Sequence, residues 1–117
     1  MGACDIINVK PARVSGWTEA RRIHDLARAQ GIGLWVGGML ETGVGRAAQL
    51  ALASLPGFSL PGDISATERY YHHDIATRFT LNAEDSTITV PTGPGLGIEV
   101  DEERVTAVTQ QQKVFTI

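Results

Sequence analysis

Strand-like apolar runs begin near residues 5, 32 and 58, about 26 residues apart, and a helical pattern fills each of the first two intervals. Strands at that spacing with helices between them return to one sheet in parallel, because a parallel partner requires a crossover of a dozen or more residues. The expected class is therefore α/β, as an open sheet or a section of a (β/α) barrel. The first run, residues 5–10, ends at Lys10, and Pro11 then breaks the ladder because it has no N–H to donate. In "WTEARRIHDLARAQG" the residues Trp17, Ala20, Ile23, Leu26 and Ala27 recur at helical spacing. Thr18 is the expected N-cap, Glu19 suits the positive end, and Gly31 stands where a C′ glycine belongs. His24 borders the apolar stripe and reads as a packing or surface histidine. "GIGLWVGG" supplies a strand at 32–36, and Val44, Ala47, Ala48, Ala51 and Leu55 form the buried face of a helix at about 43–55, stopped by Pro56-Gly57. "FSLPGDIS" is the third strand and its turn.

The last third differs in character. "TLNAEDSTITVPTGPGLGIEV" carries short β-like runs and turn residues, and "DEERVTAV" reads as a short helix capped by Asp101. The expected division is residues 1–66 as the βα region and 67–117 as a tail with short strands and a helix.

Charge and length narrow the function classes. The chain has 117 residues, 10 basic and 13 acidic, for a net charge of -3. That balance, with no run of Lys or Arg, argues against a nucleic-acid partner. A chain of this length buries roughly 65% of its unfolded surface, enough for one core. Cys4 is the single cysteine, which excludes an internal disulfide and suits a reducing cytoplasm. There is no apolar run of membrane-spanning length and no signal-peptide pattern. Met1-Gly2 opens a myristoylation-like sequence, but Ile6 occupies the position where Ser or Thr is needed.

In parallel α/β folds the chemistry collects at the carboxyl ends of the strands. Lys10, Glu41 and Asp63 fall there, one after each expected strand. Each also has a bland reading. Lys10 can snorkel from the sheet rim, Glu41 can favour the start of the next helix by its charge, and Asp63 can bind its own backbone in a turn. "GVGRAA", residues 43–48, matches G-x-G-x-x-A with Asp63 twenty residues from Gly43. It does not directly follow its strand, so close helix packing through small residues is the preferred reading over a phosphate site at Arg46. "YHHD", residues 71–74, is a poor metal site if extended, since adjacent strand residues face opposite ways. "GPGLG" reads as turns.

"INVKPARVSGWTEARRIHDLARAQGI", "GGMLETGVGRAAQLALASLPGFSLPGDISATERYY" and "VPTGPGLGIEV" together resemble the enolase superfamily, muconate lactonising group. The likeness is to the C-terminal barrel part of o-succinylbenzoate synthases and N-succinylamino acid racemases, and it runs from Asp5 to about Val100. It implies family strands six to eight of a modified (β/α) barrel. In this superfamily a Lys or His base works with Mg²⁺ on the α-proton of a carboxylate, through an enediolate. Lys10 matches the sixth-strand lysine, an acid/base in racemisation and a cation–π stabiliser of the intermediate in the synthase reaction. The same resemblance places Gly38, Met39 and Leu40 on the succinyl-binding side, with Asp63 and Ile64 nearby, and makes Glu41 structural.

A complete barrel needs about 250 residues. The K-x-K lysine, the three acidic Mg²⁺ ligands and the capping domain of the family have no counterpart in this sequence. The expectation is a piece of a lyase or racemase that is inactive alone, with Mg²⁺ belonging to the complete enzyme. Its partners are expected to be a small carboxylate substrate, a complementary N-terminal barrel chain, or a second copy. A piece with unpaired edges should self-associate, bind its missing half, or wrap its C-terminal segment over the open sheet face. The competing readings are a non-catalytic assembly fragment and, behind it, a nucleotide-binding module.

Overall fold

The parallel pairing expected from the 26-residue spacing is present in the computed structural model, which describes residues 2–116. Strand β1 (Ile6–Val9) lies parallel to β2 (Gly33–Val36) with Ile6 opposite Gly33 and Val9 opposite Val36. Helix α1 (Trp17–Ala29) makes the crossover, entered through a 3₁₀ turn at Pro11–Arg13. Helix α2 (Gly43–Ala53) follows β2, and α3 (Glu102–Val108) lies in the tail.

Alternation sorts each strand into two faces. Val9, Leu34 and Val36 point to the helices and are buried with Ala20, Ala27 and Leu52 in one apolar cluster. Ile6, Asn8 and Lys10 share the opposite face of β1, and Ile6 is 55% exposed there. A second cluster forms on the other side of α2, where Ala47 and Leu50 pack with Phe79 and with half-buried Ile88 and Ile98. The C-terminal segment thus wraps α2 and leaves the Ile6–Asn8 face open. Apolar side chains at 79, 88 and 98 find their cover on the helix, so nothing drives them across the sheet.

Three expectations need correction. The third strand contracts to a single parallel bridge, Gly37 with Asp63, supported by Leu60 N–H on the Leu34 carbonyl (3.3 Å) and Asp63 N–H on the Val36 carbonyl (3.0 Å). Pro61 between them has no N–H, so a regular ladder cannot run through it. The strands expected in the tail likewise reduce to one antiparallel bridge, Ala76 with Val100. Pro91 and Pro94 remove donors there, and Gly95 and Gly97 take left-handed φ values of 63° and 67°, which turn the chain. Finally, α1 begins two residues early: Gly16 holds the N-cap position with φ 105°, and Thr18 sits inside the first turn with no capping bond. At the other end Gly31 takes φ 69°, as a C′ glycine does. Asp101 caps α3 as expected, accepting the Arg104 N–H at 2.8 Å.

His24 is a packing residue. It is 3% exposed, stacks on Phe58 with centroids 5.0 Å apart, and its Nε2 lies 2.8 Å from the Pro56 carbonyl. Among the described residues no helix is long and apolar enough to cross a membrane.

Candidate active site

The register of β1 and β2 decides which strand-end residues meet. Val9 pairs with Val36, so Lys10 and Gly37 are the next step beyond the ladder, and Gly37 in turn bridges Asp63. Lys10, Gly37-Gly38 and Asp63 therefore form one row across the carboxyl edge of the parallel pair. The row is tight. A Cβ on Gly37 would stand 2.7 Å from Lys10 Cε and 2.2 Å from Asn8 Oδ1. A Cβ on Gly38 would stand 2.2 Å from the Asp63 carbonyl oxygen. The two glycines let the Lys10 side chain lie over one backbone and the 63–64 segment approach the other.

Lys10 is half-buried and Asp63 is exposed. Met39 and Leu40 project outward, 38% and 66% exposed. Ile64 behaves differently from its neighbours: it packs against both apolar clusters and serves the core. Glu41 folds back on its own loop, where Oε2 accepts the Met39 N–H at 2.6 Å. It braces the loop and does not cap α2.

The start of α2 is sealed from within. The Gly43 N–H donates to Asp74 Oδ2 at 2.8 Å, and Arg46, 1% exposed, has Nη1 3.6 Å from the same carboxylate. Arg46 also donates to Thr67 Oγ1 (3.3 Å) and to the Glu41 carbonyl (3.0 Å). The "GVGRAA" segment thus spends its amide and its guanidinium on the protein's own groups. Its first glycine is required for close packing, since a Cβ there would stand 2.8 Å from the Thr77 carbonyl oxygen. Of "YHHD", His72 and His73 are exposed in a bend, and Tyr71 and Asp74, at its two ends, are the members that bond to the segment around Leu40 and Gly43.

Sequence reasoning passed over Asn8, Gln49, Tyr70 and Tyr71. Asn8 carried a signal: a polar residue two positions before Lys10 in a strand shares its face. Gln49, 2% exposed, reaches the Gly37 carbonyl at 3.4 Å from α2, and nothing local announces that. Tyr70 stands near Asp63, and hydrogen bonds from Ser65 and then Arg69 hold its hydroxyl below the usual tyrosine range. The Tyr71 hydroxyl donates to the Leu40 carbonyl at 2.6 Å.

Among the described residues no three His, Cys, Asp or Glu side chains stand together so as to hold a metal ion. Glu41 is turned to Met39 and Asp74 to α2, so the acids present do not form a Mg²⁺ centre.

Comparison with known proteins agrees with this geometry. The sequence profile of the enolase C-terminal domain-like family matches residues 1–104. An N-succinylamino acid racemase from an Amycolatopsis species is 54% identical over 109 residues, covering 93% of this chain and 29% of the racemase. An o-succinylbenzoate synthase from Bacillus subtilis is 47% identical over 116 residues, covering 99% and 31%. The chain therefore spans about a third of the length of these relatives. Among solved structures, a member of the enolase superfamily from Listeria innocua superposes with a TM-score of 0.86 at 42% identity, over 94% of this chain and 29% of that one. A dipeptide epimerase from Cytophaga hutchinsonii, 27% identical, was crystallised with Mg and the dipeptide D-Ala-L-Val; it covers 90% of this chain and 28% of its own, with a TM-score of 0.75. A parallel βαβ unit with lysine at its carboxyl edge, matched by profile over most of its length, places this chain in the enolase C-terminal domain-like family.

Proposed function

We propose that this chain is the part of an o-succinylbenzoate synthase-like lyase or N-succinylamino acid racemase that carries one acid/base, Lys10, and one wall of the substrate site. The row of Lys10, Gly37-Gly38 and Asp63 across the parallel edge carries the reading. In it, when the reaction runs as a racemisation, the Lys10 amine takes the α-proton of one enantiomer of a carboxylate substrate, and the opposing acid reprotonates the enediolate from the other face. For the other enantiomer the roles reverse and the Lys10 ammonium gives the proton, while in the synthase reaction the ammonium stabilises the intermediate by a cation–π contact. Gly38, Met39 and Leu40 face the succinyl arm, with the Asp63–Ile64 backbone closing that side. The row fits this use because Lys10 is held at the sheet edge while the Met39 and Leu40 side chains stay outside the core.

The enediolate needs positive charge at its oxygens as the proton leaves, the contribution a metal ion makes in such reactions. The acids of this chain do not form a metal centre among the described residues, so the reading assigns the Mg²⁺ ligands and the opposing acid to polypeptide outside this chain, and the isolated chain is inactive. The complementary surface would be the rest of a (β/α) barrel, whose next strand would add to the free edge of β1. A non-catalytic assembly role is the second reading, favoured by the same open edge and by Ile6 on its uncovered face.

The test is α-proton exchange on an N-succinylamino acid in D₂O with Mg²⁺, followed by NMR. The chain alone is expected to show none. Mixed with the portion of the Bacillus subtilis relative that it does not span, it should restore exchange, and Lys10→Ala should abolish that gain. A mixture that assembles but exchanges no faster than buffer leaves the assembly reading in its place.

A further inference from the structure

The loop of residues 38–42 joins β2 to α2, and its two exposed apolar side chains, Met39 and Leu40, have little to hold them from the solvent side. Its backbone is held instead, group by group, by side chains of the loop itself, of α2 and of residues 71–74. The Met39 N–H donates to Glu41 Oε2 (2.6 Å) and the Leu40 carbonyl accepts from the Tyr71 hydroxyl (2.6 Å). The Glu41 carbonyl accepts from Arg46 Nη2 (3.0 Å), and the Gly43 N–H donates to Asp74 Oδ2 (2.8 Å). Two of these four partners come from residues 71–74, thirty positions along the chain. Arg46 ties them together, because its guanidinium reaches Glu41, Thr67 and Asp74 at once while only 1% of the residue is exposed.

A buried Arg–Asp pair is a poor source of net stability, since desolvation offsets most of its attraction. What it supplies here is direction: a planar fork fixes two or three acceptors relative to one another, as an ammonium cannot. We propose that Tyr71 and Arg46 are positioning residues that set the shape of the 38–42 loop, and through it the fit of the substrate's acyl arm. The second half of that statement rests on the function proposed above. Lys10 is not touched by the clamp, so its proton transfer is independent of it.

Two measurements separate the parts. Tyr71→Phe keeps the ring and removes only the hydroxyl that holds Leu40. In the chain alone, amide exchange at Met39 and Gly43 should accelerate about fivefold, the worth of one neutral hydrogen bond, while β1 and β2 amides stay within twofold. Unchanged loop exchange overturns the clamp, and so does equal acceleration in the strands, which marks a general loss of stability. In the complemented mixture the same variant should raise KM for the N-succinylamino acid about fivefold and leave kcat within twofold. A lowered kcat, or an unmoved KM beside a loosened loop, overturns the substrate role. Arg46→Lys keeps the charge and loses the fork, and should give the same KM pattern; if it does not fold, Tyr71→Phe decides alone. If the unmodified mixture shows no activity, the proposed function fails with the substrate role, and amide exchange still judges the clamp.

Discussion

Single atoms explain the behaviour of the strand-end row. Gly37 and Gly38 are neighbours, yet an added methyl meets different things at each. At Gly37 it meets the ends of two side chains, Asn8 and Lys10, which can move. At Gly38 it meets the Asp63 backbone, which cannot without breaking the bridge beside it. Gly38→Ala is expected to lower stability by about 1–3 kcal/mol in urea unfolding, and Gly37→Ala by clearly less while shifting Lys10; equal losses would contradict this account. Asp85 gives a pH-dependent counterpart. Its carboxylate accepts from the Thr87 backbone and hydroxyl, which lowers its pKa below the ordinary value of 3.8. A lowered folded pKa means the turn is supported above the unfolded value and loses that support as pH falls through the folded one. Carboxyl NMR should show Asp85 titrating below the ordinary value of 3.8, and Thr87→Val, which removes the hydroxyl bond, should move it upward; titration at the ordinary value would remove the effect.

Among the elements, the helix ends separate what is local from what is not. Thr18 has the right chemistry for a cap but lies inside α1, so Thr18→Ala should change stability by less than about 0.5 kcal/mol. Gly31 sits in the left-handed region at φ 69°, and Gly31→Ala should cost about 1 kcal/mol. Thermal unfolding of the two variants checks both, and a larger loss at Thr18 would mean that it caps the helix in solution. The third strand teaches the same point from the sheet side. Its two hydrogen bonds to β2 flank Pro61, so the segment holds its place in the sheet order without forming a regular ladder.

The whole molecule is more extended than its length requires. A compact chain of this size has a radius of gyration of about 13 Å, against 16.0 Å here, with principal extents of 49 × 46 × 25 Å. The excess agrees with a flat layer: helices cover one face of β1–β2, the tail wraps α2, and the other face carries Ile6 at 55% exposure. Free edges and an uncovered face invite association. Sedimentation velocity should show mass rising with concentration, and Ile6→Lys should shift the sample toward monomer; a monomer at all concentrations would count against the assembly reading.

From the sequence alone came the parallel order, the two crossover helices, the caps at Gly31 and Asp101, the family, and the placing of Lys10 and Asp63 at strand ends. These features are written in short-range patterns: apolar periodicity, residues that tolerate positive φ, prolines that cannot donate, and motifs in a fixed order. Even the polar Asn8 beside Lys10 was legible from alternation. What the tertiary structure decided depends on groups some thirty positions apart in the chain. It turned Asp74 to the start of α2, brought Tyr71 under Leu40, buried Arg46 among three acceptors, and sent the tail to α2. No local pattern specifies such contacts, because each depends on where the intervening chain has already been made to go.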